Sequence, residues 1–446
     1  MPKITVIMPS LNVKKYIRKC VDSVMGQSLK DIEVLAIDAG STDGTLDILR
    51  DYEKKDKRFR VILSDRKSYG YQVNLGLGQA SGDYIWIVDT DDVVTDDAFE
   101  TLYLQAVSSN ADYVKGRGMF FADLGNGSIW EYPIWSPLSD PELFGVVITP
   151  CNMVDLIRLD IFLWTGLYKR EFLKNIRLNE TPGAAYQDQG FLFQTISTAK
   201  RAVYIDRIVY YYRQDNSDSS IFNPDGFRYF VGEYPYIKKF LHGKDKEWEE
   251  IYYIRMFNQC MGRFDCMLPG EQFWCSAAGD INTLRMWISN AVSEGKIVPE
   301  HLDDENRMLL EKFIRSPYEL YLSKLKCFSG KACLVRSLYH ITEGRNVVIF
   351  GCGSFGKFAH ALLQGSGCCH IAAFADNNEY MDGMYLQGIE VMLPHRVVDR
   401  FKDALYVITL DVKNSEKVVN QLVGMGITWE AMYPFRVDVD MQLFRI

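Results

Sequence analysis

Histidine is scarce in this sequence, and none lies in the first 240 residues. All six histidines fall later in the chain, so the N-terminal part cannot build a serine or cysteine nucleophile activated by histidine. The ten cysteines are scattered, without the C-x-x-C pairs that indicate a zinc site or a redox motif. We therefore expect reduced thiols, and any metal site in the N-terminal part must use carboxylates.

Basic residues are also in the minority. Lys and Arg total 50 against 58 Asp and Glu, a net charge of -8, whereas nucleic-acid binding proteins usually carry a basic excess or stripe. No apolar run reaches the ~18 residues of a membrane-spanning helix, and Met1–Met8 has the pattern of a strand rather than of a signal peptide. These absences predict a cytoplasmic protein whose main partner is not nucleic acid.

The length of 446 residues predicts two or three folded units, because single cores rarely grow beyond roughly 300 residues. Strand and helix patterns alternate at the start of the chain, which predicts an α/β fold with a mixed, mostly parallel sheet. The predicted strands are Ile4–Met8, Ile32–Asp38, Val61–Leu63 and Tyr84–Val88, and the predicted helices are Val13–Met25, Thr45–Lys54, Gln72–Ala80, Trp248–Phe264 and Asn306–Leu325. We predict a first α/β domain at 1–224, a helical region at 225–343 and a small Rossmann-like α/β domain at 344–446.

Acidic residues follow the apolar strand Tyr84–Val88 directly, as Asp89-Thr90-Asp91-Asp92. Ligands of parallel α/β sheets bind at the carboxyl ends of the strands. Asp side chains one residue apart offer oxygen ligands to a hard divalent cation, which can bridge the two phosphates of a nucleotide sugar. The alternative is a solvated acidic loop before a helix, and an isolated D-x-D pattern would favour it.

Four motifs with consistent spacing lead up to this cluster, and the last of them includes it. They are Ile4–Asn12 with Cys20–Ser28, Glu33–Thr45, Gly70–Gly76, and Ala80–Tyr84 leading into Asp89–Asp92. Over about residues 3–215 the sequence resembles the family 2 glycosyltransferases. The resemblance implies a GT-A fold and an inverting transfer of a hexose or N-acetylhexosamine from a UDP-sugar, with Mn²⁺ or Mg²⁺ as cofactor. The acceptor would be a glycan in a polysaccharide, a glycolipid or a glycoprotein.

The resemblance also assigns the chemical roles. Asp188 stands where the family has the aspartate of its Glu-Asp motif and would be the general base, its alternative role being the N-cap of a helix Gln189–Ala199. Asp91 would be the direct metal ligand, with Asp89 near the metal or the ribose, and Asp92 could share the metal. Trp164 would stack on an acceptor sugar or, equally, belong to the core.

Further residues are donor-binding candidates by the same resemblance. They are Pro9, Ser10, Asn12, Asp38, Gly40, Asn74, Asp89, Thr90 and Arg213. Asp38 would accept a hydrogen bond from the imide of the base, which favours uridine, and Arg213 would meet the diphosphate. Ser217 and Ser220 would belong to the family's closing segment.

Two positions depart from the family pattern. Gln72-Val73-Asn74 replaces the usual Ala-Arg-Asn, so an expected arginine near the donor is missing, and Gln187 replaces the glutamate before the base. These departures keep a second hypothesis open, in which the chain is a catalytically idle protein that binds a nucleotide sugar or a dinucleotide.

The C-terminal part carries its own nucleotide-binding fingerprint. Gly351, Gly353 and Gly356 follow a predicted strand and open a helix, and Asp376 ends the next strand, where a ribose-binding acid is expected. This part resembles the small Rossmann-like domains found beside sugar-modifying enzymes, and we identify no catalytic cluster in it. Residues 323–345 are basic and apolar, which predicts either a linker helix or a peripheral contact with the inner face of a membrane.

Overall fold

The computed structural model describes residues 1–123, 129–134, 136–138, 140–183, 185–216, 226–265, 271–326, 342–410 and 412–435. The chain divides into two compact units. The first contains Met1–Phe121, Glu131–Arg213 and Arg228–Arg255, and the second contains Ala122–Trp130, Gln214–Phe227 and Met256–Ile446. None of the helices in the described ranges combines the length and apolar character that crossing a bilayer requires.

The N-terminal sheet has a parallel half and a mixed half. Its strands are β1 (Ile4–Ser10), β2 (Ile32–Asp38), β3 (Phe59–Leu63), β4 (Tyr84–Ile87), β5 (Val93–Val94), β6 (Tyr113–Asp123), β7 (Ile129–Pro133), β8 (Val147–Ile148), β9 (Gly166–Lys169) and β10 (Ala202–Arg213). The order is β3-β2-β1-β4-β9-β6-β10-β5, with β7 on β6 and β8 on β10. Strands β1 to β4 are parallel, whereas β9 runs antiparallel to both of its neighbours.

Helices lie between these strands along the chain, and two more follow the last strand. They are α1 (Ile17–Met25), α2 (Thr45–Lys55), α3 (Tyr69–Gln79), α4 (Ala98–Ser109), α5 (Leu156–Leu159), α6 (Gln187–Thr198), α7 (Gly226–Lys238) and α8 (Lys246–Asp265). The predicted α/β alternation is confirmed. Helix α3 begins three residues earlier than predicted because the Ser68 side chain caps it by accepting from Tyr71 N.

The register of the parallel strands brings their carboxyl ends together. Every residue of β1 is buried between β2 and β4, as expected for a strand with an uninterrupted apolar pattern. Ser10 pairs with Asp38, and Ile7 pairs with Ile87. The residues that follow these strands therefore lie side by side at one edge of the sheet, where ligands of open α/β sheets bind.

Helices and a second sheet make up the rest of the described chain. The elements are α9 (Glu271–Ser293), α10 (Asp304–Arg315), α11 (Pro317–Lys326), β11 (Asn346–Phe350), α12 (Ser354–Ser366), β12 (His370–Ala375), β13 (Tyr385–Leu386), β14 (Ile389–Met392), α13 (Pro394–Arg400), β15 (Leu405–Ile408), α14 (Val412–Gly424) and β16 (Met432–Pro434). The helical pattern predicted over Asn306–Leu325 is confirmed, but it forms two helices, α10 and α11. Ser316 is extended before Pro317, which starts a new helix because proline disfavours a helical residue before it.

The second sheet has the order β13-β14-β12-β11-β15-β16. All neighbours are parallel except the edge pair β13 and β14. Numbered along the chain, the parallel strands follow the doubly wound order 3-2-1-4-5, whose switch point lies between β11 and β15.

Candidate functional site

The turn after β2 is built around Asp38. This fully buried carboxylate accepts hydrogen bonds from Gly40 N (3.0 Å), Ser41 N (2.9 Å) and Ser41 Oγ (2.6 Å). Gly40 has φ of +81°, a conformation that glycine adopts without strain. The structure thus places Asp38 and Gly40 in one rigid turn, and the hydrogen bond from Asp38 to a base stays a prediction.

The loop after β1 is tied to that turn. Asn12 Oδ1 accepts from Thr42 N (2.8 Å), and Ser10 O accepts from Ala39 N (3.0 Å). Gln72 Nε2 donates to both Ser10 O (3.0 Å) and Ile37 O (2.6 Å), so it joins the ends of β1 and β2. The glutamine that departs from the family pattern therefore holds this edge of the sheet together.

Hydrogen bonds to β1 and β10 hold the acidic loop Asp89–Asp92 in place. Thr90 Oγ1 donates to Pro9 O (2.9 Å), which anchors the loop to β1. Asp92 is fully buried, and its carboxylate accepts from Tyr210 Oη (2.8 Å) and Arg213 N (2.8 Å) of β10. Both Asp92 oxygens therefore accept hydrogen bonds from β10, and a share of Asp92 in metal binding stays a prediction.

Asp89 is half-buried and surrounded by tyrosines. Its Oδ1 accepts from Tyr69 Oη (2.9 Å), and its backbone N donates to Tyr210 Oη (3.0 Å). Burial and the nearby charge of Asp91 raise the pKa of Asp89 to about 7, and the charge of Asp188 raises it further. A cation would offset this accumulated negative charge.

Arg213, the last residue of β10, contacts the acidic loop. Its Nε donates to Asp91 O (2.7 Å), and its guanidinium lies 4.6 Å from the centre of the Tyr16 ring and 4.5 Å from that of Phe121. Stacking between two rings restricts the orientation of a guanidinium. The structure therefore brings Arg213 to Asp91, the candidate metal ligand.

Asp188 lies in the first turn of α6. The helix begins at Gln187, and its N-cap is Tyr186, with φ of +64°, so the alternative that Asp188 is the N-cap is wrong. Gln189 Nε2 donates to Asp188 Oδ2 (3.1 Å), and buried Arg255 donates to Gln189 Oε1. Burial raises the pKa of Asp188 to about 6, although the positive charge of Arg255 opposes this shift. Tyr69 N donates to Gly183 O (2.9 Å) just before α6, and Tyr69 Oη donates to Asp89, so the start of α6 lies beside the acidic loop.

Gln187 holds the segment that leads into α6. Its buried side-chain amide donates to Thr181 O (3.1 Å) and Gly183 O (3.2 Å) and accepts from Ala185 N (2.9 Å). A glutamate could not donate to these two carbonyls. The second departure from the family pattern therefore has a clear local function.

Trp164 is part of an aromatic cluster rather than an exposed platform. It is 6% exposed and stacks on Tyr210 with ring centres 4.3 Å apart, while Phe162 and Tyr212 lie at 4.6 Å and 5.1 Å. Trp86 Nε1 donates to Trp164 O (2.6 Å). This placement favours the core interpretation of Trp164, and stacking on an acceptor stays a prediction.

Asn74 is not brought together with the other donor-binding candidates. Its amide donates to Leu178 O (2.9 Å) and Glu180 Oε1 (3.0 Å), and it accepts from Leu178 N (3.0 Å). On α3, Asn74 is rotated about 200° around the helix axis from Gly76. Gly76 packs against Ile7 and Ile37 of the sheet, so Asn74 lies on the side of α3 that faces away from them. The structure thus assigns Asn74 to anchoring the segment before α6.

Within the described ranges, no three His, Cys, Asp or Glu side chains converge as a ready-made metal site. The oxygen donors of Asp89 and Asp91 nevertheless suit Mg²⁺ or Mn²⁺, which bind few protein ligands and complete their shell with water and substrate phosphate. The raised pKa of Asp89 agrees with a site that lacks positive charge. The residues present therefore fit a divalent cation.

The glycine loop Gly351–Gly356, which follows β11, has the backbone geometry that the nucleotide-binding fingerprint requires. Gly351 has φ of +108°, and a Cβ on Gly356 would lie 1.9 Å from Gly351 O, so both positions need glycine. Beside Gly353 the space is open. Asp376 accepts from Cys352 N (3.0 Å) and Asn378 N (3.0 Å), so its carboxylate braces the loop. Nucleotide binding here stays a prediction.

Two predicted features fall outside the described ranges. Ser217 and Ser220 are in 217–225, and most of the basic segment 323–345 is in 327–341. Sequence reasoning also missed residues that the fold brings to the site, namely Tyr69, Tyr210 and Glu233. Tyr69 adjoins the Gly70–Gly76 motif and could have been found, but nothing in the sequence pointed to Glu233, which is 45 residues beyond Asp188.

This edge of the sheet, with its acidic loop and its carboxylate on α6, defines a GT-A type of fold. The structure resembles that of *S. aureus* TarS residues 1–349 in complex with UDP-GlcNAc, with a TM-score of 0.51, 20% identity, and coverage of 72% of this chain and 89% of the other. Residues 5–162 match the family model Glycosyl transferase family 2. Over these residues, about a third of the chain, the sequence is therefore similar to the family 2 glycosyltransferases.

Curated relatives agree with that assignment. Glycosyltransferase GlyA of *Streptococcus pneumoniae* serotype 4 is 30% identical over 220 residues, which are 47% of this chain but only 30% of GlyA. The GalNAc(5)-diNAcBac-PP-undecaprenol beta-1,3-glucosyltransferase of *Campylobacter jejuni* is 24% identical over 313 residues, 66% of this chain and 96% of that enzyme. The expected family and fold are confirmed.

Proposed function

We propose that the chain is an inverting, metal-dependent glycosyltransferase that moves a hexose or N-acetylhexosamine from a UDP-sugar to a glycan acceptor. The observation that carries the proposal is the convergence of the acidic loop and Asp188 at one edge of the sheet. Tyr69 joins the two parts, because its hydroxyl donates to Asp89 Oδ1 (2.9 Å) and its backbone N donates to Gly183 O (2.9 Å) in the segment that leads into α6. TarS, the neighbour in fold, holds UDP-GlcNAc, which agrees with a UDP-sugar donor.

Each group then has one task. Asp188 accepts the proton of the acceptor hydroxyl as its oxygen attacks the anomeric carbon, while the bond to the diphosphate breaks on the opposite face. Asp91 and Asp89 would hold Mn²⁺ or Mg²⁺, which when bound neutralises charge on the leaving diphosphate. Arg213 meets the same diphosphate. A pKa of about 6 leaves Asp188 mostly ionised and ready to accept a proton at neutral pH.

The acceptor would be a polysaccharide, a glycolipid or a glycoprotein. The *C. jejuni* relative is named for a glycan carried on undecaprenol diphosphate, which supports a lipid-linked glycan among these choices. We further propose that the chain acts in the cytoplasm, with peripheral membrane contact through 323–345 as the route to such an acceptor, and that its domains are those predicted at 1–224, 225–343 and 344–446.

The test is UDP release from a panel of UDP-sugars, with Mn²⁺, with Mg²⁺ and with EDTA. We expect release from one sugar that depends on the metal and is abolished in Asp91→Asn. Asp83→Asn is the matched control, because Asp83 is exposed and precedes β4, at the opposite end from the acidic loop. Asp188→Asn should lose turnover by roughly 10²- to 10⁴-fold and still bind donor.

The outcome that would contradict the proposal is equally specific. If UDP binds but no sugar in the panel and no added glycan acceptor gives release, the alternative of a catalytically idle nucleotide-sugar binding protein replaces it. Unchanged release in Asp188→Asn would reject Asp188 as the base while leaving the class of activity intact.

A further inference from the structure

A second buried carboxylate lies next to the turn that carries Asp188. Glu233, on α7, is 2% exposed. Its Oε1 accepts from Gly190 N (3.1 Å), and its Oε2 accepts from Asn179 Nδ2 (2.9 Å). Gly190 is two residues after Asp188, in the first turn of α6. Glu233 therefore joins α7 to the first turn of α6.

Gly190 is what allows this contact. A Cβ at position 190 would lie 2.4 Å from Glu233 Oε1 and 3.1 Å from the Tyr236 ring. The first distance is shorter than side-chain atoms tolerate, and the second would require the Tyr236 ring to shift by a few tenths of an ångström. A side chain at position 190 would therefore displace the Glu233 carboxylate from its present position. The pair fixes the first turn of α6 against α7.

Burial and a neighbouring negative charge both raise the pKa of Glu233. Burial raises its pKa to about 8, and the ionised Asp188 on α6 raises it further, while the hydrogen bonds from Asn179 and Gly190 oppose the shift. On its own helix the neighbouring titratable group is Tyr236, whose pKa Glu233 raises. Glu233 is thus neutral while Asp188 ionises near pH 6, and it becomes charged only at higher pH.

We propose that Glu233 is a positioning residue for the reaction: by holding Gly190, it fixes the first turn of α6 and so the carboxylate of Asp188 on the acceptor side. The inference rests on the proposed role of Asp188 as base. Charging Glu233 places a second negative group beside Asp188, and the repulsion between the two carboxylates acts against the position in which Glu233 holds the base.

The test compares Glu233→Gln with Glu233→Ala in the full-length chain. Gln keeps an oxygen that accepts from Gly190 N, so we expect kcat within roughly threefold of wild type. Ala removes the acceptor, and we expect kcat to fall roughly 10- to 100-fold, since small misplacements of a catalytic group have effects of this size. The KM for the UDP-sugar should not change. Gly190→Ala should lower kcat in the same way as Glu233→Ala, because it disturbs the same contact from the side of α6.

The pH profile of kcat separates positioning from general stability. Wild type and Glu233→Gln should share an acid limb near pH 6, because Glu233 is neutral there. Above about pH 8 wild-type kcat should decline, whereas Glu233→Gln, which cannot ionise, should not. This measurement remains decisive even if Glu233→Ala does not fold.

Two results would overturn the inference. If Asp188→Asn is inactive while Glu233→Ala retains wild-type kcat, or while Glu233→Gln keeps the alkaline decline, Glu233 has no positioning role and the proposed function stands. If Asp188→Asn remains active, the base assignment fails and the role of Glu233 fails with it.

Discussion

Asp188 makes folding less favourable and catalysis more favourable. Its pKa rises from the usual value near 3.9 to about 6 because burial penalises the carboxylate. The folded state therefore prefers the protonated form. The resulting cost is absent at low pH, grows as pH rises from about 4 to 6, and stays constant above that range.

Asp188→Asn should consequently be more stable than wild type at pH 8 but not at pH 3.5. Two pKa units correspond to about 2.7 kcal/mol, and because the side chain is half-buried we expect a gain of roughly 1 to 2 kcal/mol. Urea unfolding at the two pH values measures it. A gain of equal size at both would show that ionisation of Asp188 is not the cause.

Gln187→Glu restores the family's usual residue and should nevertheless harm this protein. The buried amide donates to Thr181 O and Gly183 O, and glutamate would face these carbonyls with a group that only accepts. Thr181 O then loses this donor, whereas Gly183 O still accepts from Tyr69 N, so we expect a cost of about 1 to 3 kcal/mol. Thermal unfolding of Gln187→Glu against Gln187→Met, which also lacks a donor but adds no charge, separates the two contributions. Unchanged stability in both variants would contradict this account.

At the scale of elements, α3 packs on the sheet through one glycine and ends with another. A Cβ on Gly76 would lie 2.6 Å from Ile7 Cγ2 and 2.9 Å from Ile37 Cδ1, whereas a Cβ on Gly78 would meet nothing within 4 Å. Gly76→Ala should therefore destabilise by about 1 to 3 kcal/mol through overpacking. Gly78→Ala should stabilise by up to about 1 kcal/mol through helix propensity.

The two substitutions are chemically identical and two residues apart, so each controls for the other. Thermal unfolding should move their midpoints in opposite directions. Similar shifts of the same sign would mean that α3 does not approach β1 and β2 as closely as the structure indicates.

Local patterns explain which elements could be predicted. The strands β1, β2 and β4 are mostly apolar, and each motif lies within one strand or helix and the turn beside it, so short-range sequence was sufficient. The roles of Gln72 and Asn74 could not be predicted, because both depend on distant backbone groups, Ser10 O and Leu178 O. Likewise, Glu233 and Arg255 reach the first turn of α6 only through packing of α7 and α8.

At the scale of the whole molecule, two compact units predict two unfolding transitions. A ligand that binds only folded protein adds RT ln(1 + [L]/Kd), about 2.7 kcal/mol at a hundredfold excess over Kd. UDP with Mn²⁺ should therefore raise one transition and leave the other in place. Asp91→Asn should abolish the shift that depends on Mn²⁺, and Asp83→Asn should retain it.

The same experiment tests whether the glycine loop of the second sheet binds a nucleotide. If NAD or another dinucleotide raises the second transition, and Gly353→Val removes that shift, the second unit has a ligand of its own. Valine at this position would fill the open space beside the backbone, where a phosphate must approach. If UDP with Mn²⁺ raises both transitions together, the units unfold as one, and the division into two independently stable parts is wrong.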